Sequence, residues 1–417
     1  MTTVKQQPAA ANPPHLQRPP VPWPVRALDR AGSLLGRMGN RFTNLDEAAL
    51  CEAACRKTGL SDFGDERFRE GLRVFVQGAA AVEKYAFVGR FVMSAATSRA
   101  LRNRLLIEQQ IKEHPEILGL TVPRPLVVVG MPRTGTTLLQ NLLTQDTAAR
   151  PLLVWEAASP AKPRLDNRQR DMERMVWIIK RAYPQINTLH VIEANGPQEC
   201  GPLFRNAFFF SPFQQQLARW ADEIPYERLE WAYQQYHRQL QLLQWQRPAQ
   251  GHWLLKFPMH LIALDVLLKT LPEAVVVQTH RDPVRVVPSF CQLTQNLAFF
   301  FGDARAQALP REVQDLIAVV VRRAMEARQR IPAERVIDVH YRQLLTDPMG
   351  VLRRIYQHFG YHYTDELESR AQRWLAEHPK RERAGNYYDL AQFGLDRAEL
   401  EQTFAEYSAH YQIEPES

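Results

Sequence analysis

Leu126-Val127-Val128-Val129-Gly130-Met131-Pro132-Arg133-Thr134-Gly135-Thr136-Thr137-Leu138-Leu139 reads as a buried strand, a tight cationic loop and the start of a helix. The run before Gly130 has the length and β-branched content of a parallel strand covered on both faces. Leu138, Leu139, Leu142 and Leu143 then switch to helical spacing. Gly130 and Gly135 bracket a loop whose backbone can bend around an anion. Thr136 and Thr137 fall where a helix presents unpaired N–H groups and the positive end of its dipole. Arg133 adds a permanent planar charge suited to phosphate or sulfate oxygens. The stretch predicts a cradle for a doubly charged ester group.

It is not a Walker A loop, which needs Gly, four residues, then Gly-Lys-Ser/Thr. Here the loop is shorter, and Arg133 supplies the cation before the second glycine.

Outward from this loop, other runs read as strands: Trp253 to Lys256, Ala274 to Thr279 and Val336 to Val339. Each is followed by helical signal. The fold class expected is therefore α/β, a mainly parallel sheet flanked by helices. Ligands in such sheets bind at the carboxyl ends of strands. Arg133, Lys256, His280-Arg281 and Tyr341 all fall at or just after those ends.

The rest of the chain divides by composition. Residues 1–40 begin with a Pro-rich, aperiodic stretch and predict a largely disordered lead-in. Residues 41–120 predict a helical N-terminal region, with Thr43 or Asn44 as cap of a helix running to Lys57 and Gly59 ending it. Residues 121–417 hold the sheet, interrupted by a helical insertion at about 157–250. That insertion carries Trp177, Trp220, Trp231 and Trp245, with Phe208, Phe209, Phe210 and Phe213. Such aromatic loading is chiefly core material, part of it available to wall an apolar acceptor pocket.

Composition bounds the class. Of 417 residues, 45% are hydrophobic and 23% charged, as in an ordinary globular protein. The 52 Lys and Arg exceed the 45 Asp and Glu by seven, which suits an anionic ligand. The charge is spread, with no basic run of the kind that binds nucleic acid. Cys51, Cys55, Cys200 and Cys291 show no metal or redox spacing, and no metal site is expected. Met1 to Ala11 has no apolar signal core, and no apolar run approaches the ~18 residues of a membrane span. These features predict a cytoplasmic setting and no transmembrane segment.

A second signature is Thr279-His280-Arg281-Asp282-Pro283, with Ser289 eight residues after Arg281. Asp282 as N-cap and Pro283 at the first helical position make a regular strand-to-helix junction. Pro288 sits inside that helix and cannot donate to Val284, so a kink is expected just before Ser289.

Together these segments resemble the superfamily of sulfotransferases that use 3′-phosphoadenosine 5′-phosphosulfate (PAPS). The nearest look is to the bacterial-type branch related to tyrosylprotein sulfotransferases. The likeness runs over roughly residues 40–410. It takes in Leu255-Lys256-Phe257-Pro258-Met259-His260-Leu261, Tyr341 through Asp347-Pro348, and Phe393-Gly394-Leu395. It implies a P-loop-like α/β fold and transfer of a sulfuryl group from PAPS, without a metal, to a hydroxyl or amine of a small-molecule or lipid-like acceptor. Arg133 would fork onto the 5′-phosphosulfate, and Thr134, Gly135, Thr136 and Thr137 would bind its oxygens through backbone N–H groups and hydroxyls. Arg281 and Ser289 would hold the 3′-phosphate, and Lys256 would contact the transferring group. Glu156 matches the catalytic Glu of the tyrosylprotein branch and ranks first as base. His260, four residues after Lys256, ranks second. Tyr341 and the basic segment Lys380-Arg381-Glu382-Arg383 with Gly385 would close over the nucleotide, and Glu199 is a further candidate for the acceptor side.

Two other classes remain open on the residues alone. A P-loop-type phosphotransferase or kinase would need a loop Lys and a Mg²⁺-holding Asp, for which Asp282 and Asp338 are poor fits. A non-catalytic anion- or nucleic-acid-binding module would bind with strong salt dependence.

Overall fold

The structure is a computed structural model and describes residues 23–36, 45–81, 87–163, 165–182, 193–209, 216–301, 309–378 and 390–416. Thr43 and Asn44, Phe210 and Phe213, the segment Lys380 to Gly385 and most of the Pro-rich lead-in lie outside the described residues.

Five strands form one parallel sheet: β1 Leu126–Gly130, β2 Ala149–Pro151, β3 His252–Lys256, β4 Val275–His280 and β5 Val336–His340. Their spatial order is β2-β3-β1-β4-β5. The chain leaves β1 toward β3 on one side and returns to β4 on the other. The crevice over the end of β1 is thus the point where the winding reverses, the usual ligand site of such sheets. β2 was not anticipated: three residues containing Arg and Pro carry no period-two signal.

β1 is completely buried because both faces are covered. Side chains alternate across it. Val127 and Val129 join a core with Leu255, Val276, Phe204, Tyr233 and Tyr236. Leu126 and Val128 join a second core with Leu139, Leu142, Leu254, Val277 and Ile355. The first core also contains Leu50, Leu72, Leu101 and Leu105 from the N-terminal helices, so that region shares the core of the sheet. Asp46 caps the helix Glu47–Thr58, accepting from Ala49 N at 2.8 Å, and Gly59 closes it at φ 73°. A helix at Trp23–Gly36 lies inside the lead-in expected to be disordered.

The insertion is helical, its longest element being Tyr226–Gln246. Its aromatics Phe204, Trp231, Tyr233 and Tyr236 are all buried in the first core. No helix among the described residues is long and apolar enough to cross a membrane.

Candidate active site

The loop after β1 is shaped by two glycines. Gly130 has φ 150°, and a Cβ there would meet Thr279 Oγ1 at 2.1 Å and Thr134 Oγ1 at 2.8 Å. Gly135 has φ 91°, and a Cβ there would meet the Tyr341 ring at 2.8 Å. The left-handed backbone and the close neighbours both demand glycine. Gly135 leads into the helix Thr136–Leu143, whose N-terminus no side chain caps. Its first N–H groups and dipole therefore face the crevice. The Thr134 hydroxyl departs from expectation. It is fully buried, 2.6 Å from both Met131 O and Thr279 Oγ1, so it braces the loop against β4 instead of facing an anion. Only the Thr134 backbone remains for that role.

On one side of the loop stands Lys256, the last residue of β3 and 1% exposed. Its Nζ donates to Glu199 Oε1 at 2.6 Å and reaches Thr137 Oγ1 at 3.5 Å. Two backbone bonds fix Glu199 there: Gln198 N to Leu152 O at 2.7 Å and Cys200 N to Lys256 O at 2.9 Å. The Glu199 side chain is one-third exposed. None of the described residues donates to its Oε2.

On the other side stands Arg281, just after β4. Its Nη1 donates to Arg133 O at 3.2 Å, and its guanidinium carbon lies 4.1 Å from the Tyr341 ring centroid. Its Nε and Nη2 fork onto the Glu416 carboxylate at 2.9 and 2.8 Å. Arg133, at φ 71°, turns its Nε to the Ser289 hydroxyl at 3.1 Å, so its side chain lies on the Arg281 side of the loop. Ser289 itself is buried, in the helix Pro283–Phe301 that contains Pro288. A cavity of about 360 Å³ opens here, lined by His280, Arg281, Asp282 and Tyr341 among others.

Arg281 is steadied from behind. The neighbouring His280 bonds Tyr407 Oη through Nδ1 at 2.9 Å and Asp338 Oδ1 through Nε2 at 2.8 Å. Arg328 forks onto the same carboxylate at 2.8 and 3.0 Å. Burial pushes the Asp338 carboxyl up, but the bonds from His280 and Arg328 outweigh it and hold it well below the usual carboxylate range. Asp338 is therefore committed to structure, and Asp282 caps Val284 N at 2.9 Å. Neither is free to hold Mg²⁺.

Two expected bases are buried and engaged by other partners. Glu156 is 1% exposed and its oxygens accept five hydrogen bonds. Arg150 supplies two at 2.9 and 3.1 Å, Arg247 two at 3.0 and 3.2 Å, and Leu153 N one at 3.1 Å. A carboxylate so saturated has no lone pair left for an acceptor proton. It pins the sheet edge to the end of the long insertion helix. Glu156→Gln should accordingly cost several kcal/mol, on the scale of about 3–5 for a broken buried ion pair. Turnover per folded molecule should be retained. Urea unfolding beside active-site titration checks both.

His260 is fully buried in a 3₁₀ turn, its Nδ1 on Tyr233 Oη at 2.9 Å and its Nε2 without a partner among the described residues. Phe204, Phe257 and Tyr236 close around the ring. Burial pushes its pKa down to about 3, so it stays neutral and sealed from any acceptor. The sign of its pH effect follows. Between the ordinary value and 3, only the unfolded chain binds the proton, so stability is full above pH 6.5 and falls on acidification. His260→Gln should flatten that fall by about 1.4 kcal/mol per pH unit. His252, pushed down to about 4 by burial, keeps its own share. Urea melts from pH 7 to 4 give the slope.

A family model described as "Sulfotransferase family" matches residues 125–365, more than half of the chain. The chain belongs to the sulfotransferase family. Among curated proteins, this enzyme is 28% identical over 267 residues to the omega-hydroxy-beta-dihydromenaquinone-9 sulfotransferase Stf3 of Mycobacterium bovis and of Mycobacterium tuberculosis. The match covers 61% of this chain and 67% of each relative. Among solved structures, sulfotransferase STF9 from Mycobacterium avium superposes with TM-score 0.80 at 33% identity, covering 90% of this chain and 98% of that one. Sulfotransferase STF1 from Mycobacterium tuberculosis gives 0.69 at 27% identity, covering 87% and 98%. The enzyme is thus a sulfotransferase with the mainly parallel fold expected of it, and the kinase and pure binding-module readings fall away.

Proposed function

We propose that this sulfotransferase takes its sulfuryl group from PAPS and delivers it to a hydroxyl on an apolar, lipid-like acceptor. One observation carries the donor assignment. A single glycine-shaped loop has a cationic site at each side, Lys256 with Thr137 on one and Arg281 with Arg133 and Ser289 on the other. A nucleotide charged at both its 5′ and 3′ positions matches that arrangement. Arg281 is able to take an oxyanion fork, since it already holds a carboxylate.

The roles follow from position. Backbone N–H groups of Thr134 to Thr137 bind the 5′ group at the helix N-terminus. Lys256, buried beside them, offsets the charge that builds on the leaving and transferring oxygens, an effect strengthened by its dry setting. Glu199 replaces Glu156 and His260 as base. It is exposed enough to meet an acceptor, lies against Lys256, and keeps one oxygen open. Tyr341 packs on Arg281 and orients its fork.

For the acceptor, the support is the Stf3 relatives, named for a hydroxylated menaquinone. The test is transfer of radiolabelled sulfate from PAPS to an ω-hydroxylated prenyl quinol, with a short water-soluble phenol alongside. Preferential labelling of the prenyl alcohol is expected. Labelling of the phenol alone, or of neither, refutes the lipid-like assignment.

A further inference from the structure

The segment Gln412–Glu416 ends inside the cavity that the donor reading assigns to the nucleotide's 3′ side. Glu416 is held there at three points. Its carboxylate takes the Arg281 fork, its N–H donates to Asp282 Oδ2 at 2.8 Å, and its carbonyl accepts from Arg285 Nε at 3.2 Å. Both members of the ion pair are about three-quarters buried, with side-chain exposures of 21% and 24%. This is no loose surface contact of the sort that contributes little.

The approach of the segment is built in. The last helix, Ala405–His410, stops at Gln412, which adopts φ 51°. Ile413 N bonds back to Ser408 O at 2.8 Å and its side chain packs against the neighbouring core. That is the left-handed helix stop with its usual apolar contact, and it sets the direction of the following residues. Upstream, Tyr407 bonds His280 and the Tyr411 ring stacks on His280 at 4.1 Å. Glu416 is thus tethered five residues from an anchor that sits beside its target, at a high effective concentration.

We propose that Glu416 is an internal competitor for the 3′-phosphate subsite, a carboxylate occupying the Arg281 fork until the donor's 3′-phosphate displaces it. The proposal rests on the donor assignment above. A phosphate dianion outbids a single carboxylate for a guanidinium, so the nucleotide still binds. Its apparent affinity is divided by the fraction of molecules with the fork open.

The test is isothermal titration of the full chain, Glu416→Gln, and a chain ending at Ile413 with adenosine 3′,5′-bisphosphate and with adenosine 5′-phosphosulfate, which lacks the 3′ group. The expected result is bisphosphate binding tightened by at least about fivefold in both variants. Adenosine 5′-phosphosulfate should bind all three proteins equally. Glu416→Gln is nearly isosteric and keeps the test valid should the shortened chain fold poorly. Unchanged or weaker bisphosphate binding in Glu416→Gln overturns the competitor role, the weaker case marking Glu416 as part of the binding site. Equal tightening of both ligands overturns it as well. Failure of the bisphosphate to bind any of the three sinks the donor assignment, and the competitor role with it.

Discussion

Lys256→Met should lower kcat by about a thousandfold while leaving the fold intact, the upper end of what one lost oxyanion donor costs. The lysine is 1% exposed at the end of β3, so water cannot take over its charge. Methionine fills nearly the same volume, and its flexible stem suits the site. Glu199, left without its partner, is one-third exposed and can hydrate, so the penalty for an unpaired buried charge is largely avoided. The melting temperature should move by only a few degrees. Steady-state kinetics beside a melting curve separates the two effects. A variant within tenfold of wild type would remove Lys256 from the chemistry.

Glu199→Gln is the second large effect, a loss of at least about a hundredfold in kcat, within the range for removal of a general base. Glutamine preserves the shape and can accept from Lys256 through its carbonyl oxygen, so donor binding should survive. The contrast with Glu156→Gln makes the experiment decisive. One variant should be stable and slow, the other unstable and, per folded molecule, active. The opposite pattern would restore Glu156 as base and demote Glu199 to a partner of Lys256.

The loop after β1 and the cations beside it were legible because their determinants are local. Four consecutive apolar residues, Leu126 to Val129, announce a strand buried on both faces, and the glycines, Arg133 and the Thr pair follow without a break. The Arg281-Asp282-Pro283 junction is equally local, since a cap and a first-turn proline define it. The preference for Glu199 over Glu156 as the proposed base was not legible, because it depends on what surrounds a carboxylate. Glu156 lies inside one short helix and Glu199 just before another, and nothing in their spacing shows that Arg150 and Arg247 close on Glu156. Arg247 is 91 residues away in sequence. His260 sits four residues from Lys256, yet its 3₁₀ turn points it into the aromatic core. The Thr134 hydroxyl was misread for a similar reason, its partner Thr279 belonging to a strand 145 residues on. Glu416 gave no signal at all, as its partner Arg281 is 135 residues away and an isolated acidic residue is ordinarily solvated.

In the proposed donor complex, one loop holds a nucleotide charged at both its 5′ and 3′ positions, with Arg281 reading the 3′ side. The most direct measurement is a thermal-shift titration with adenosine 3′,5′-bisphosphate beside its 2′,5′ isomer. Saturable stabilisation by the 3′ isomer, well above that by the 2′ isomer, is the predicted result. No shift, or equal shifts from both isomers, would contradict it.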